Sequence, residues 1–419
     1  MSDNKCGWNS CKSYLFLEVE MISVGIDISK GKSTACILKS DGEIVEGPIT
    51  FKHTTYGLKQ FIDQIPKGEN EVKVVMEATG IYHLQVAIYL QEQGYFVAVV
   101  NPLAMKRFRT FSIRGVKTDK VDAMKIAEYG LARWNQLSAF QIAEDKYAEL
   151  SILSRQYRHH MENRIRNLQD LIHMLDQTMP GIKKEFNSLN EANGKDKLLD
   201  FAKTYWHFDT ITKKSERAFV NSYVKWAKKM GYRPNANKAT KIYSIAKEGI
   251  PSLPANQTTK MLVEEAADVL KRANEALIKI ITRIKTIAKS LPEYQVVRDM
   301  GGVGDTLAPR LIADIGDVRR FKSAKSLVAY AGIDTPPYQS GQFIGTRRHI
   351  SKRGSSAIRK TGYEVMRSLK SHAEPKDNAV YQFILKKEAE GKPKKVANIA
   401  GLNKFLRIYY ARVMAVYGC

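Results

Sequence analysis

The chain has 419 residues, with 67 Lys and Arg against 43 Asp and Glu, which gives a formal charge of +24 at pH 7. Hydrophobic residues make up 44% of the chain and charged residues 26%, and this ordinary globular composition argues against wholesale disorder. A large positive charge opposes folding by self-repulsion, so it indicates a polyanionic partner, either nucleic acid or an anionic membrane surface. At roughly 100–200 residues per domain, we expect two or three domains.

The sequence gives no support to a membrane-spanning or secreted protein. No stretch approaches the ~20 uninterrupted apolar residues of a spanning helix, and the N-terminus lacks the pattern of a signal peptide. Four cysteines, Cys6, Cys11, Cys36 and Cys419, are too few for a disulfide framework and lack partners at zinc-finger spacing. We therefore expect free thiols in a reducing, cytosolic compartment.

Residues 21–145 alternate between strand and helix patterns. Residues 1–20 precede the first strong strand pattern, so we expect them to form an N-terminal extension, with Met1 and Met21 both candidate starts. Strands are predicted over 23–28, 33–40, 71–78 and 94–100, with a hairpin turn at Asp41-Gly42. Helices are predicted over 55–65, 81–93 and 118–134. Strands paired first by a hairpin and then interleaved with helices predict an α/β sheet of mixed direction.

Residues 146–290 carry two long apolar stripes at helical spacing, which end at Pro180 and Pro292. The stripes consist of Leu150, Leu153, Tyr157, Met161, Ile165, Leu168, Ile172 and Leu175, and of Leu262, Ala266, Leu270, Ala273, Leu277, Ile281, Ile284 and Leu291. They predict an all-α region in which an antiparallel or intermolecular coiled coil carries a small insertion over 181–254. Packing of an ordinary core is the commoner role of such stripes.

Four carboxylates in the N-terminal region suggest a metal site. Asp27 lies in the apolar strand pattern VGIDIS, and Glu77 ends a second apolar strand, the position of active-site groups on open α/β sheets. Asp119 and Asp122 are three residues apart, so a helix places both on one face. Oxygen ligands of this kind suit Mg²⁺ or Mn²⁺. Taken singly, an acid in such a position is more often structural, with Asp119 as a helix cap and Asp122 as a solvated residue.

A phosphate loop for ATP is not predicted. GIDISKGKS has five residues between its first glycine and Gly-Lys-Ser, where the Walker motif has four, and Gly25 falls within a strand pattern. The sugar-kinase and actin superfamily uses a similar strand Asp, but Ile28-Ser29 replaces its Gly-Thr or Gly-Ser dipeptide.

Residues 291–419 are predicted to be mostly helical, with a turn-rich centre over 332–356 and a basic helical tail. The sequence GGVG at 301–304 lies between two helical patterns and is typical of a helix-hairpin-helix, in which Gly302 and Gly304 would approach a nucleic-acid phosphate. A plain tight turn between packed helices is the alternative.

The turn-rich centre contains Ser340 in a segment without acidic residues between Asp334 and Glu364. Six cations lie there: Arg347, Arg348, Lys352, Arg353, Arg359 and Lys360. A serine beside glycine in such a loop could attack a phosphorus atom while the cations stabilise the developing charge. Loop serines are more often turn formers, and Ser29, Ser33, Ser351 and Ser355 compete for the role.

The motifs GIDISK, MEATG, KTDKVDA, GGVG, ADIGDVRRFKSAKSLVAYAGI, PYQSG, ISKRG and IRK occur in this order. Together with a basic helix ending near Pro180 they closely resemble the insertion-sequence family 110 transposases, relatives of the Piv and MooV DNA invertases. The resemblance runs from about residue 21 to about residue 370. It is weakest over 181–254 and in the tail after 370.

The resemblance implies a RuvC-like domain of RNase H fold over 21–145, a coiled-coil region over 146–290 and a serine transposase domain over 291–419. The DEDD site of the family matches Asp27, Glu77, Asp119 and Asp122, with Mg²⁺ or Mn²⁺, and the catalytic serine matches Ser340. The family implies a phosphoserine link to DNA, donor and target DNA as substrates, multimers in which the DEDD site of one subunit faces the serine of another, and in some members a noncoding bridge RNA.

From these features we expect a cytoplasmic, nucleoid-associated transposase of a prokaryote. Lys117, Gly302, Gly304, Arg347, Arg348, Lys352 and Arg353 are its predicted nucleic-acid contacts. One alternative is a RuvC-like junction nuclease with a metal-bound water as nucleophile. The other is a non-catalytic nucleic-acid-binding protein in which the four acids are structural.

Overall fold

The structure is a computed structural model that describes residues 20–67, 71–109, 118–141, 144–186, 196–336, 339–340, 343–344, 349–372 and 378–418. The chain divides into two compact units, Met1–Ile142 and Ala143–Cys419. Among the described residues, no helix combines the length and the apolarity that crossing a bilayer demands. Cys36 is buried as a free thiol, and the other three cysteines lie outside the described residues.

The first unit is built on a five-stranded sheet whose order is β3-β2-β1-β4-β5. The strands are β1 (Met21–Ile28), β2 (Lys32–Lys39), β3 (Ile44–Lys52), β4 (Glu71–Glu77) and β5 (Phe96–Val100). β1, β2 and β3 are antiparallel neighbours, whereas β1, β4 and β5 run parallel. The mixed sheet predicted from the sequence is therefore confirmed, including the turn after β2, where Gly42 adopts a φ of 88°.

Four helices cover the sheet: α1 (Thr55–Ile62), α2 (Tyr82–Glu92), α3 (Pro102–Arg109) and α4 (Asp119–Ala132). β1 is buried on both faces because it is the central strand. Ile22, Val24 and Ile26 pack with residues of α1 and α2, and α4 lies directly against β1 at Gly25. This mixed α/β unit is consistent with a RuvC-like domain.

The second unit begins with two long helices and the shorter helices between them. These are α5 (Asp145–Thr178), α6 (Lys197–Thr204), α7 (Asp209–Thr212), α8 (Glu216–Lys229), α9 (Ala236–Glu248) and α10 (Gln257–Lys289). Leu150 and Tyr157, near the start of α5, share a core with Leu277 and Ile281, near the end of α10.

The opposite end of the pair shows the same relation. Leu171 and Leu175 of α5 pack with Val263 and Leu270 of α10, so the two helices are antiparallel within one chain. The predicted insertion is a helical cluster whose aromatic residues, among them Phe201, Phe219 and Tyr223, fill the core at this end. Supercoiling of the long pair stays a prediction.

The remaining elements are α11 (Tyr294–Arg298), α12 (Gly304–Ile315), α13 (Ala324–Tyr330), β6 (Gln339–Ser340), β7 (Phe343–Ile344), α14 (Ser356–His372), α15 (Ala379–Ala389) and α16 (Lys394–Val416). The last helix is central to this part of the chain, because Leu402, Phe405 and Leu406 are at most 1% exposed in the shared core. The basic tail is therefore part of the folded unit.

Candidate active site

Asp27 and Glu77 meet at one edge of the sheet. β1 and β4 are parallel neighbours in which Ile26 lies opposite Met76, so the next residues, Asp27 and Glu77, end adjacent strands at the same level. The carboxyl edge of parallel strands is where ligands bind in open α/β sheets. The side chain of Glu77 is 18% exposed, and Asp27 is half-buried.

Helix α4 brings the second pair of carboxylates to this edge. A Cβ on Gly25 would lie 2.2 Å from the main-chain nitrogen of Ala127 and 2.3 Å from the carbonyl oxygen of Ala123. Only glycine permits this contact, so α4 lies directly on β1. The helix starts after Thr118, whose hydroxyl accepts the Val121 N–H at 3.3 Å, and its first turn carries Asp119 and Asp122.

The electrostatics of Asp27 indicate that the four carboxylates converge. Burial raises the pKa of Asp27 from 3.8 to about 6, and the negative charges of Asp122 and Asp119 add to this effect. Glu77 acts in the same direction, whereas the guanidinium of Arg109 opposes it. Asp27 thus lies in an excess of negative charge that a cation would neutralise.

Arg109 connects two of the carboxylates and was not identified from the sequence. Its guanidinium lies 3.1 Å from a carboxylate oxygen of Glu77 and 3.5 Å from one of Asp122. Arg109 ends α3, a helix that the strand and helix patterns missed. Its start carries a recognisable signal, since the Asn101 side chain accepts the Leu103 N–H at 2.8 Å and Pro102 takes the first helical position.

The donor set fits a hard divalent cation by its chemistry, because carboxylate oxygens are the ligands that Mg²⁺ and Mn²⁺ prefer, and β1, β4 and α4 supply four of these groups near Asp27. As the side chains stand, no group of three or more His, Cys, Asp or Glu within the described ranges has the arrangement to hold a metal ion. Arg109 instead bridges Glu77 and Asp122. The carboxylates are therefore close enough to repel one another and to attract a cation.

Ser340 lies in the second unit, at the end of the two-residue strand β6. It pairs with Phe343 of β7, and two residues separate the partners. The sequence predicted a turn without regular structure here, whereas backbone pairing forms a short hairpin. The base of the segment is closed, because the Ser351 N–H donates to the Asp334 carbonyl at 2.8 Å and its hydroxyl donates to the Asp334 carboxylate at 2.5 Å.

The predicted cations take different roles. The Lys352 N–H donates to the Gly332 carbonyl at 2.9 Å, and Arg353 is exposed. Arg359 braces the backbone, since its guanidinium donates to the carbonyls of Ala331 and Gly354 at 3.0 and 3.1 Å. Lys117, Arg347 and Arg348 lie outside the described residues.

The glycine turn before α12 packs against another helix. Gly302 has a φ of 81°, and a Cβ there would lie 2.8 Å from the Leu369 nitrogen of α14. Gly304 opens α12 with free space around its Cα, but Asp305 in the same turn pairs with Arg298 at 2.5 Å. Contact of Gly302 and Gly304 with a phosphate stays a prediction.

Two comparisons with known families cover the regions just described. Residues 24–180 match the DEDD domain of IS110-type elements, described as a transposase. Residues 294–382 match the transposase family of IS116, IS110 and IS902. The chain belongs to the IS110 family of transposases. All four carboxylates of this transposase lie in the first matched region and Ser340 lies in the second.

Individual relatives agree with this assignment along most of the chain. The pilin gene-inverting protein of Moraxella bovis is 22% identical over 396 residues, which cover 93% of this IS110-family transposase and 94% of the relative. A 44.8 kDa protein of insertion element IS116 from Streptomyces clavuligerus is 22% identical over 89% of each chain. A 43.6 kDa IS110 protein from Streptomyces coelicolor is 24% identical over 68% of this chain and 69% of its own.

Proposed function

We propose that this IS110-family transposase cuts and rejoins the DNA of an insertion sequence through a covalent phosphoserine at Ser340. The Ser340 hydroxyl oxygen attacks the phosphorus atom, and the bond from phosphorus to the leaving deoxyribose oxygen breaks. A free hydroxyl of the incoming strand then attacks the phosphoserine and restores the serine. Each broken phosphodiester is replaced by another, so the reaction needs no ATP.

Asp27, Glu77, Asp119 and Asp122 would hold Mg²⁺ or Mn²⁺. When bound, the metal activates the attacking oxygen and offsets charge on the phosphate. The observation that carries this proposal is the convergence of carboxylates from two adjacent strand ends and the first turn of α4, with the pKa of Asp27 raised to about 6. Buried acids without such a purpose are normally paired with a cation one to one.

The proposed partners are DNA, a guide RNA and further copies of the chain. Lys352 and Arg353, with Lys117, Arg347, Arg348, Gly302 and Gly304, would contact nucleic acid, and a noncoding guide RNA would select the DNA sites. A homo-oligomer, a dimer or a tetramer, would bring the carboxylates of one subunit to Ser340 of another. The Moraxella relative is named for inverting a gene, and inversion requires that cut ends be rejoined.

A metal-dependent junction nuclease with a water nucleophile is the second candidate. It is favoured by one observation: all four carboxylates belong to the first compact unit, so hydrolysis would require no residue of the second. Such an enzyme would cut DNA without forming a protein–DNA bond, and Ser340 would be a turn residue.

Strand exchange on a plasmid that carries the element with its own ends distinguishes these functions. Ser340→Ala should abolish recombinant junctions, measured by amplification across them, while DNA binding is retained. Ser351→Ala is the matched control, because Ser351 closes the base of the same segment and should leave exchange detectable. Exchange by Ser340→Ala would contradict the nucleophile assignment, and unchanged exchange by Asp27→Ala would contradict a catalytic role for the acids.

A further inference from the structure

A groove of about 880 Å³ lies in the second unit between α16 and the base of the segment that contains Ser340. One wall is formed by Thr335, His349 and Lys352, which flank that segment in the sequence on both sides. The other wall is α16, a helix that lies beyond the family match ending at residue 382. The groove therefore adjoins the base of the segment that contains the proposed nucleophile.

The walls of the groove are cationic. Lys395, Lys404 and Arg407 line it from α16 and Lys352 lines it from the other side, whereas none of the described lining residues is Asp or Glu. Four positive charges along one channel with no counter-charge among these residues match the spaced phosphates of a nucleic-acid strand.

Apolar side chains also line the groove and include an aromatic ring. They are Ile350, Ile399 and Phe383, together with Val396, which is 51% exposed. A base-paired duplex presents phosphates and groove edges to a protein and would leave these apolar side chains in water. Unpaired bases expose their faces, which stack on aromatic side chains and cover apolar surface.

Phe383 lies beside two lysines. The ammonium groups of Lys404 and Lys387 lie 5.1 and 5.4 Å from the centre of its ring. Lys387 is paired with Glu390 at 2.7 Å, whereas Lys404 lines the groove and places a phosphate-binding cation next to the ring.

Lys352 is held toward this groove by an unusual backbone. It is the one non-glycine residue with a positive φ in the described part of the chain, at 52°. Such a conformation is costly for a side chain with a Cβ and persists where the surroundings impose it. Here the Lys352 N–H donates a hydrogen bond to the Gly332 carbonyl at 2.9 Å, and this bond fixes the backbone conformation.

We propose that this groove binds single-stranded DNA, the strand that leads to the phosphate attacked by Ser340. The choice of DNA rests on the proposed function, because the groove adjoins the segment of the nucleophile. In this proposal α16 binds the DNA strand through its exposed face and packs in the core through its buried face.

The test measures binding by the full chain in EDTA, so that no chemistry takes place. Fluorescence anisotropy follows a labelled 20-nucleotide single strand of DNA, the same sequence as a duplex, and the same sequence as RNA. The groove variant is Lys395→Gln with Lys404→Gln and Arg407→Gln. The charge-matched control is Lys225→Gln with Lys228→Gln and Lys229→Gln, three exposed residues of α8.

The groove variant should bind single-stranded DNA at least about tenfold more weakly than the control variant. The slope of the logarithm of its binding constant against the logarithm of the salt concentration should be smaller in magnitude by about 2, as expected for the loss of three phosphate contacts on a single strand. Phe383→Leu should weaken single-strand binding about fivefold or more and change duplex binding less. Thermal unfolding verifies that the variants are folded.

Equal losses in the groove and control variants would overturn the proposal, because net charge alone would then explain binding. A loss confined to RNA, or one equal for duplex and single strand, would also overturn it. If Ser340→Ala still carried out strand exchange, the proposed function would be contradicted, but the measured binding of single-stranded DNA to the groove would still hold.

Discussion

At the scale of single residues, the charge of Asp27 destabilises the folded protein when no metal is bound. A carboxyl group whose pKa is higher in the folded state favours folding at low pH, and this contribution is lost as the pH rises from 3.8 through about 6. Asp27→Asn should therefore raise the Tm in EDTA by a few degrees at pH 8, with little difference at pH 4.

Glu46→Gln is the control for this comparison, because it removes one negative charge from an exposed position of β3. Differential scanning fluorimetry across the pH series provides the measurement. A Tm difference between Asp27→Asn and the wild type that is constant from pH 4 to pH 8 would contradict the electrostatic account.

Arg109 competes with a metal for the same carboxylates. It pairs with both Glu77 and Asp122, so Arg109→Gln should lower the Tm in EDTA because two half-buried acids lose their cation. Addition of Mn²⁺ should then raise the Tm more in the variant than in the wild type. Lys106→Gln, an exposed position on the same helix, should behave as the wild type, and equal Mn²⁺ shifts in all three proteins would contradict the competition.

At the scale of elements, the contact between β1 and α4 positions the acids to which we assign catalysis. Gly25→Ala would push a methyl group against the main chain of Ala123 and Ala127, and neither can move without the helix. We expect a loss of about 3 kcal/mol in the free energy of unfolding, the upper end for overpacking, together with loss of strand exchange.

Gly42→Ala is the control for the loss of stability expected of Gly25→Ala. Gly42 has a positive φ but open space around it, so the substitution should cost only about 1–2 kcal/mol and leave exchange intact. Chemical denaturation measures both variants. A Gly25→Ala protein that is no less stable than Gly42→Ala would show that α4 does not depend on this contact.

Most strands and helices of the first unit could be predicted from the sequence, because hydrophobic periodicity and turn residues are local signals. Asp27 could be placed within a strand and Glu77 at a strand end in this way. The role of Arg109 could not be predicted, since its partners are distant in sequence. The role of Gly25 could not be predicted either, because it depends on the approach of α4. The pairing of Ser340 in β6 was also missed, because a two-residue strand carries no periodicity.

At the scale of the whole molecule, the +24 charge is divided among distinct surfaces. The groove beside α16 uses four cations, a small share of the 67 Lys and Arg of the chain. The remaining positive charge leaves cations for the second nucleic-acid partner that we propose, a guide RNA.

A guide RNA is therefore expected to copurify with the protein when the whole element is expressed. Sequencing of nuclease-protected RNA should give one structured noncoding species encoded beside the gene. A mixture of unrelated cellular RNA fragments, with no enrichment over a control expressed without the flanking DNA, would contradict guidance by RNA.

The chemical identity of the protein–DNA bond distinguishes attack by Ser340 from hydrolysis by water. The wild type, purified together with its guide RNA, is incubated with Mg²⁺ and element DNA, denatured, digested with nuclease and protease, and analysed by mass spectrometry. We expect a nucleotide attached to the peptide that contains Ser340, and no adduct in Ser340→Ala or Glu77→Gln. Cleaved DNA without any adduct, or an adduct on another serine, would contradict it.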